Sequence, residues 1–389
     1  MSIVLPLPAL DGRIAPYTLS DAAHFPDRLT QPLNRVALAA AHVVADPRAD
    51  IDPWLQAAPD WDRTIAYREY LWDLGLGVAE AMDTAQRGMG LDWQMALELV
   101  KRSVAAARGR DGAQLFCGAG TDHLDPNAAR SIDDVIRAYE EQIAAIEAVG
   151  GRLILMASRA LVRVARSADD YARVYQHVLA RVRQPVIIHW LGDMFDPALG
   201  GYWGSRELNQ AMDTAVAIIN ASAAKIDGVK ISLLDKQREI AMRRRLDKSV
   251  KMYTGDDFNY AELIAGDAEG YSHALLGIFD AIAPAAAASL SALADGDLAK
   301  FHAILAPTVP LSRHIFRKPT QFYKTGVVFM AYLNGHQDHF TMVGGQESAR
   351  STLHLAELFR LADRAGLFRD PELAARRMKA VMAVRGVAL

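Results

Sequence analysis

Short apolar runs alternate with amphipathic stretches along most of the chain. The first run, Arg35-Val-Ala-Leu-Ala-Ala-Ala-His42, reads as a strand. The spacing then predicts a helix over 62–74, a strand over 75–80 and a helix over 92–107. Gln114-Leu-Phe-Cys-Gly118 is strand-like and opens into the glycine-rich loop 118–123. A helix over 131–149 stops at Gly150-Gly151. Leu153-Ile-Leu-Met156 is the next strand, before a helix over 169–183. Pro185-Val-Ile-Ile-His-Trp190 is a strand before a helix over 205–224. Lys225-Ile-Asp-Gly-Val-Lys-Ile-Ser232 holds the sixth strand, and Asp235 can cap the helix after it. Lys251-Met-Tyr-Thr-Gly255 and Gly270-Tyr-Ser-His-Ala274 complete the set, while 79–87 and 161–167 fit neither period.

Eight strand–helix units joined through helices ask for a parallel sheet. Spread over roughly 250 residues, they fit a (β/α)8 TIM barrel. A doubly wound sheet is the alternative, but no Gly-x-Gly-x-x-Gly follows the first strand. From Pro284 onward the pattern is helical and rich in Ala and Leu, with a loop over 307–319. The expected organisation is an N-terminal extension (1–32), a barrel (33–283) and a C-terminal helical appendage (284–389).

Composition narrows the function classes. With 51% hydrophobic and 23% charged residues, the 389-residue chain is ordinary for a globular protein. A net charge of −3 leaves no footprint for nucleic acid or an anionic membrane. Arg243-Arg244-Arg245 is followed by Asp247 and reads as a solvated helix face. Cys117 is the single cysteine, so no disulfide forms within the chain. Residues 1–30 do not resemble a signal peptide, and no apolar run has the length of a membrane span. The expected compartment is the cytoplasm.

One lysine stands out. If the sixth strand alternates, Val229 and Ile231 face one way, and Gly228, Lys230 and Ser232 the other. Glycine and serine leave room around the Lys230 amine. Burial disfavours its charge, and a neutral lysine in a pocket suits Schiff-base chemistry. A strand-end lysine reaching solvent or pairing with Asp227 fits the same segment. The carboxyl ends of barrel strands, where active sites form, are polar here. In order they supply His42; Glu80 and Asp83; Thr121, Asp122 and His123; Ser158 and Arg159; His189, Trp190 and Asp193; Lys230; Thr254, Asp256 and Asp257; and Ser272 and His273. Packing alone does not ask for this convergence.

Gly228-Val-Lys-Ile-Ser232 followed by Tyr253-Thr-Gly-Asp-Asp257 resembles two segments of the dihydrodipicolinate synthase / N-acetylneuraminate lyase superfamily: its Schiff-base lysine strand and its Gly-Asp-Asp strand. Four further segments resemble that superfamily in the same order: Tyr171-Ala-Arg-Val-Tyr-Gln-His177, Pro185-Val-Ile-Ile-His189, Ala294-Asp-Gly-Asp-Leu-Ala299 and Tyr323-Lys-Thr-Gly326. The resemblance spans about 33–370 and implies a barrel, a Schiff base through Lys230 without a bound cofactor, and a homodimer or homotetramer.

Two places depart from that pattern. The family's hydroxyl-rich carboxylate-binding loop after strand two is replaced by Gly77-Val-Ala-Glu-Ala-Met-Asp83. Its Pro-Tyr pair after strand four is replaced by Met156-Ala-Ser-Arg159. Both speak for a divergent branch and against pyruvate. A sugar-like or hydroxy-keto acid carbonyl compound suits Glu80, Asp83, Asp122 and His123 better, since these accept hydrogen bonds from hydroxyls. The expected activity is a class I aldolase or lyase, with His189, His42 or Glu80 as base and Arg159 on an anionic group. Thr121, Ser158, Asp256 and His273 are the remaining expected substrate contacts. Two alternatives stay open. His189, Asp193 and Glu80 suit a divalent metal in a metal-dependent isomerase or aldolase. A barrel that binds a small molecule without turning it over would have the same polar ends.

Overall fold

The computed structural model describes residues 3–387 except 10 and 30. Positions 1, 2, 388 and 389, the outer ends of the expected extension and appendage, lie outside the described residues. An antiparallel hairpin comes first, β1 (Val4–Pro8) with β2 (Ile14–Thr18). It docks on the other end of the chain. The Tyr17 hydroxyl donates to Asp363 (2.7 Å), and the Ser20 N–H donates to the same carboxylate (3.0 Å).

Eight parallel strands follow: β3 (Ala37–Ala40), β4 (Gly77–Glu80), β5 (Leu115–Ala119), β6 (Arg152–Leu155), β7 (Val186–Leu191), β8 (Ile226–Ser232), β9 (Lys251–Thr254) and β10 (His273–Leu276). They close in sequence order, with β10 pairing β3. This is a (β/α)8 TIM barrel with C-terminal helices. Leu38, Ala40, Ala79, Phe116, Ile154, Ile187, Tyr253 and Leu275 fill its interior. The alternate positions, such as Val78, Val229 and Ile231, pack outward against the helices. Most helices begin where the sequence offers a cap. Asp60, Asp92, Ser131 and Asp235 each accept a hydrogen bond from a first-turn N–H. No helix among the described residues is long and apolar enough to cross a membrane.

Two expectations need correction. The last barrel strand starts at His273, later than Gly270-Tyr-Ser-His-Ala274 suggests. Gly270 has φ +151° and closes a turn with Asp267, and the Ser272 hydroxyl is drawn to Glu239 (2.7 Å). His273 therefore sits at the amino end of β10, where its Nδ1 accepts the Val36 N–H (2.9 Å). It is a structural residue at the bottom of the barrel. The expected loop 307–319 contains the helix Thr308–Ile315. Pro310 lies in its first turn, where backbone N–H groups have no helical partner to lose.

The helix Tyr323–Leu333 is buried on all sides and packs against the short helix Ile278–Ala281 that follows β10. Its first turn delivers Tyr323 and Lys324 to the barrel mouth.

The turn after β4 carries the next constraint. Ala79 points into the barrel, so Glu80 points out, against the expectation that it meets substrate. Arg68, on the helix Trp61–Asp73, grips both Glu80 carboxylate oxygens at 2.8 Å. The Ser103 hydroxyl (2.6 Å) and the Ala81 N–H (2.9 Å) donate to the same carboxylate. Ala81 has φ +53°, a conformation side chains disfavour. Glu80 thus pins the strained turn that swings Asp83 back over the barrel.

Both side chains of the Arg68–Glu80 pair are wholly buried. Replacing one partner strands the other charge. Arg68→Met is expected to cost about 3–5 kcal/mol in urea denaturation, with the double Arg68→Met/Glu80→Met variant recovering part of the loss. Additive losses would contradict this account.

Candidate active site

The site begins at β8. Gly228, Lys230 and Ser232 face inward as alternation predicts, and Lys230 is 5% exposed. Its neighbours in register are His189 on β7 and Tyr253 on β9. A Cβ at Gly255 would stand 2.8 Å from Lys230 Cε and 2.3 Å from Ser232 Oγ. The missing side chain gives the lysine its path across the barrel.

Burial lowers the Lys230 pKa, and the carboxylates of Asp83 and Asp257 oppose the fall. Burial works against charge on Asp83, yet Lys230, Lys324 and the Tyr323 hydroxyl outweigh it and hold its carboxyl below the usual range. Burial pushes Asp257 up to about 7, opposed by the Ile278 N–H on its Oδ1 (2.9 Å) and by Lys230. Burial and then Lys230 press the His189 pKa well below its ordinary value, keeping the ring neutral. Its Nε2 lies 3.2 Å from Ser232 Oγ. Burial lowers Lys324 to about 8. Its one hydrogen bond among the described residues goes to the Met89 thioether (3.5 Å). The Tyr323 hydroxyl donates to Asp83 (2.9 Å) and lies 2.6 Å from the Thr84 hydroxyl.

Beside this cluster lies a cavity of about 150 Å³, walled by Asp83 and His189, by Met82 and Met156, and by polar groups from the strands between. Thr121 and Ser158 share a hydroxyl contact (2.6 Å), and Ser158 caps the helix Arg159–Val164. Asp122 is held by Arg87 (2.8 and 2.6 Å), which brings its pKa down to about 2 against burial. Arg159 pairs with Asp196. Lys230 is not itself in this wall, but its register neighbour His189 is, as is Asp83, whose charge it feels.

Of the expected residues, His189, Asp83, Thr121, Asp122 and Arg159 therefore line the inner cavity, with Ser158 behind Thr121 and Lys230 beside His189; His123 reaches only the outer groove, and the rest lie elsewhere. His42 is fully buried, with Nδ1 on Asp280 (2.9 Å) and its ring against Tyr67. The strand ends at Ala40, and Asp280 draws the next turn outward. Asp256 folds onto its own turn, accepting from Phe258 N (2.8 Å) and Asn259 Nδ2 (2.8 Å). His123 bonds Gln142 (2.7 Å) and lines an outer groove. Asp193 is exposed. With Glu80 locked to Arg68, the suggested metal set of His189, Asp193 and Glu80 is not assembled. Among the described residues no group of three or more His, Cys, Asp or Glu is placed to hold a metal ion.

Asp257, Arg87, Tyr323 and Lys324 were not among the expected contacts. Period two finds the first: Tyr253, Gly255 and Asp257 share a face, which selects Asp257 over Asp256. The same rule turns Glu80 outward. Tyr323 and Lys324 arrive by tertiary packing, which no local pattern encodes.

Solved structures share this fold. YagE, a prophage protein of the dihydrodipicolinic acid synthase family from E. coli K12 solved with pyruvate, is 14% identical, with a TM-score of 0.66 over 86% of this chain and 99% of that one. The chloride-inhibited dihydrodipicolinate synthase from Acinetobacter baumannii, also complexed with pyruvate, is 16% identical, with a TM-score of 0.61 over 86% and 99%. Dihydrodipicolinate synthase from Aquifex aeolicus is 13% identical, with a TM-score of 0.60 over 91% and 99%. No curated protein matches the sequence. A family model described as "Protein of unknown function (DUF993)" matches residues 5–387. On the dihydrodipicolinate synthase fold, the chain belongs to the DUF993 family.

Proposed function

We propose that the protein is a class I lyase or aldolase in which Lys230 forms a Schiff base with a small carbonyl compound, sugar-like or a hydroxy-keto acid. The observation that carries this reading is the Lys230 amine: enclosed in the barrel, lowered in pKa, and flanked by Asp83, Asp257 and His189. The fold shared with YagE, a prophage protein of the dihydrodipicolinic acid synthase family, and with a dihydrodipicolinate synthase, both solved with pyruvate, supports it.

The steps follow from these groups. Neutral Lys230 Nζ adds to the carbonyl carbon, and the oxygen takes a proton to give a carbinolamine. Loss of water, helped by a proton from the acid form of Asp257, leaves an iminium. A base then takes the proton of the β-hydroxyl. The adjacent C–C bond breaks, its electron pair moves onto the iminium as an enamine, and an aldehyde departs. Protonation and hydrolysis release the second product and free the lysine. Of the bases expected from sequence, His189 stands at the cavity wall, and Asp257, poised near neutrality, is the better-matched acid–base partner. Asp83 stays charged and balances the iminium. Tyr323 and Thr84 offer hydroxyls where the family's strand-four tyrosine is missing.

Treating the protein with borohydride and pyruvate or a ketose should add one reduced adduct to Lys230, read by peptide mass spectrometry. A Lys230→Ala protein that retained turnover would sink the proposal.

The pH dependence has a defined sign. Dehydration needs protonated Asp257, so the trapping rate should fall as pH rises through about 7. Asp257→Asn should slow trapping and flatten that fall. A fall that persists unchanged in the variant rules out Asp257 as the donor.

The same reading carries a homodimer or homotetramer. Light scattering at micromolar concentration is expected to give a multiple of the chain mass, and a single-chain mass speaks against it.

A further inference from the structure

The inner cavity has room for a benzene-sized molecule, since about 150 Å³ suffices for one. It does not end there. Gly88, Asp122 and Arg159 line both this cavity and a second, wider groove of about 590 Å³ at the barrel mouth.

The groove is made by separate parts of the chain. The loop after β3 supplies Trp54, Leu55 and Gln56, and the turn after β4 with the start of the next helix supplies Trp93 and Gln94. These segments are fastened by glycines. A Cβ at Gly90 would stand 2.9 Å from Val343 Cγ1, and one at Gly345 3.2 Å from the Trp54 indole nitrogen. The Trp54 loop is therefore seated against the C-terminal region. Trp54 and Leu55 nevertheless remain 74% and 80% exposed. Two large apolar side chains at the rim of a polar site are left for something to cover. Trp93 also lines the groove but is buried, with the Arg87 guanidinium 5.1 Å from its ring.

Hydrogen-bonding side chains share the lining: Gln56, Gln94, His123 and Asp122. The cations at the junction are already committed, Arg87 to Asp122 and Arg159 to Asp196. That favours a neutral hydroxylated occupant over a phosphate. The exposed Trp54 indole suits the C–H face of a sugar, while amide, imidazole and carboxylate groups suit its hydroxyls.

We propose that this groove is a second subsite, and that it takes the hydroxylated chain or ring of a pentose- or hexose-sized carbonyl substrate whose reacting end enters the inner cavity. The assignment of both ends to one substrate rests on the Schiff-base reading. The groove's affinity for a sugar does not.

The test separates the two. Intrinsic tryptophan fluorescence is titrated with D-ribose, D-fructose and D-glucose, in the native protein and in Lys230→Ala, which forms no imine. At least one sugar should bind saturably to both. Trp54→Ala, at an exposed position that leaves the fold intact by circular dichroism, should weaken that sugar by about tenfold, the scale of losing one well-placed aromatic contact. Calorimetry follows the variant, whose fluorescence is altered. Saturable binding that Trp54→Ala leaves unchanged, or no saturable binding by any of the three, overturns the proposal. So does tighter binding of benzyl alcohol, which would make the groove aromatic-selective. Sugar binding without borohydride trapping would sink the Schiff base and leave the sugar subsite standing.

Discussion

A primary amine sealed inside a barrel is the constraint on which the rest of this site depends. Out of water, Lys230 either gives up its proton or faces a carboxylate. Here it meets both conditions in part. Burial pulls its pKa down, and Asp83 and Asp257 hold it up. The carboxylates answer differently. Asp83 also faces Lys324 and accepts from Tyr323, so it stays charged, whereas Asp257 is driven toward neutrality. Two carboxyl groups beside one amine are thus set apart in proton affinity, which is what an acid–base pair around a covalent lysine requires.

That arrangement is built from a distance. Asp83 hangs from a strained turn, and the turn is fixed by Glu80 in the grip of Arg68 on the barrel's outer face. Asp257 is aimed by the Ile278 N–H at the start of the helix after β10. That helix packs on the one that brings Tyr323 and Lys324. Buried contacts such as the Arg68–Glu80 ion pair and the His42–Asp280 hydrogen bond therefore set geometry at the mouth without touching what binds there.

Much of this was legible in the sequence. Alternating apolar runs and amphipathic stretches carried the barrel, and period two in β8 turned Lys230 inward. The errors came where that period was not applied or where it ceased to hold. Glu80 and Asp256 lie on the wrong face for the mouth, which parity with Ala79 and Tyr253 would have told. His42 follows the end of its strand, and its direction is set by Asp280, over two hundred residues away. His273 was misplaced because a glycine turn delays β10. Tyr323 and Lys324 reach the site through a buried helix far along the chain, and the glycine-fastened rim with Trp54 is likewise tertiary.

The central claim is that Lys230, of the two buried lysines beside Asp83, is the nucleophile. A crystal of the protein soaked with a ketose or pyruvate tests it most directly. The account predicts electron density continuous from Lys230 Nζ to a ligand carbon, with Lys324 unmodified. Density joined to Lys324, or a ligand held without a covalent bond while Lys230 stays unmodified, would contradict it.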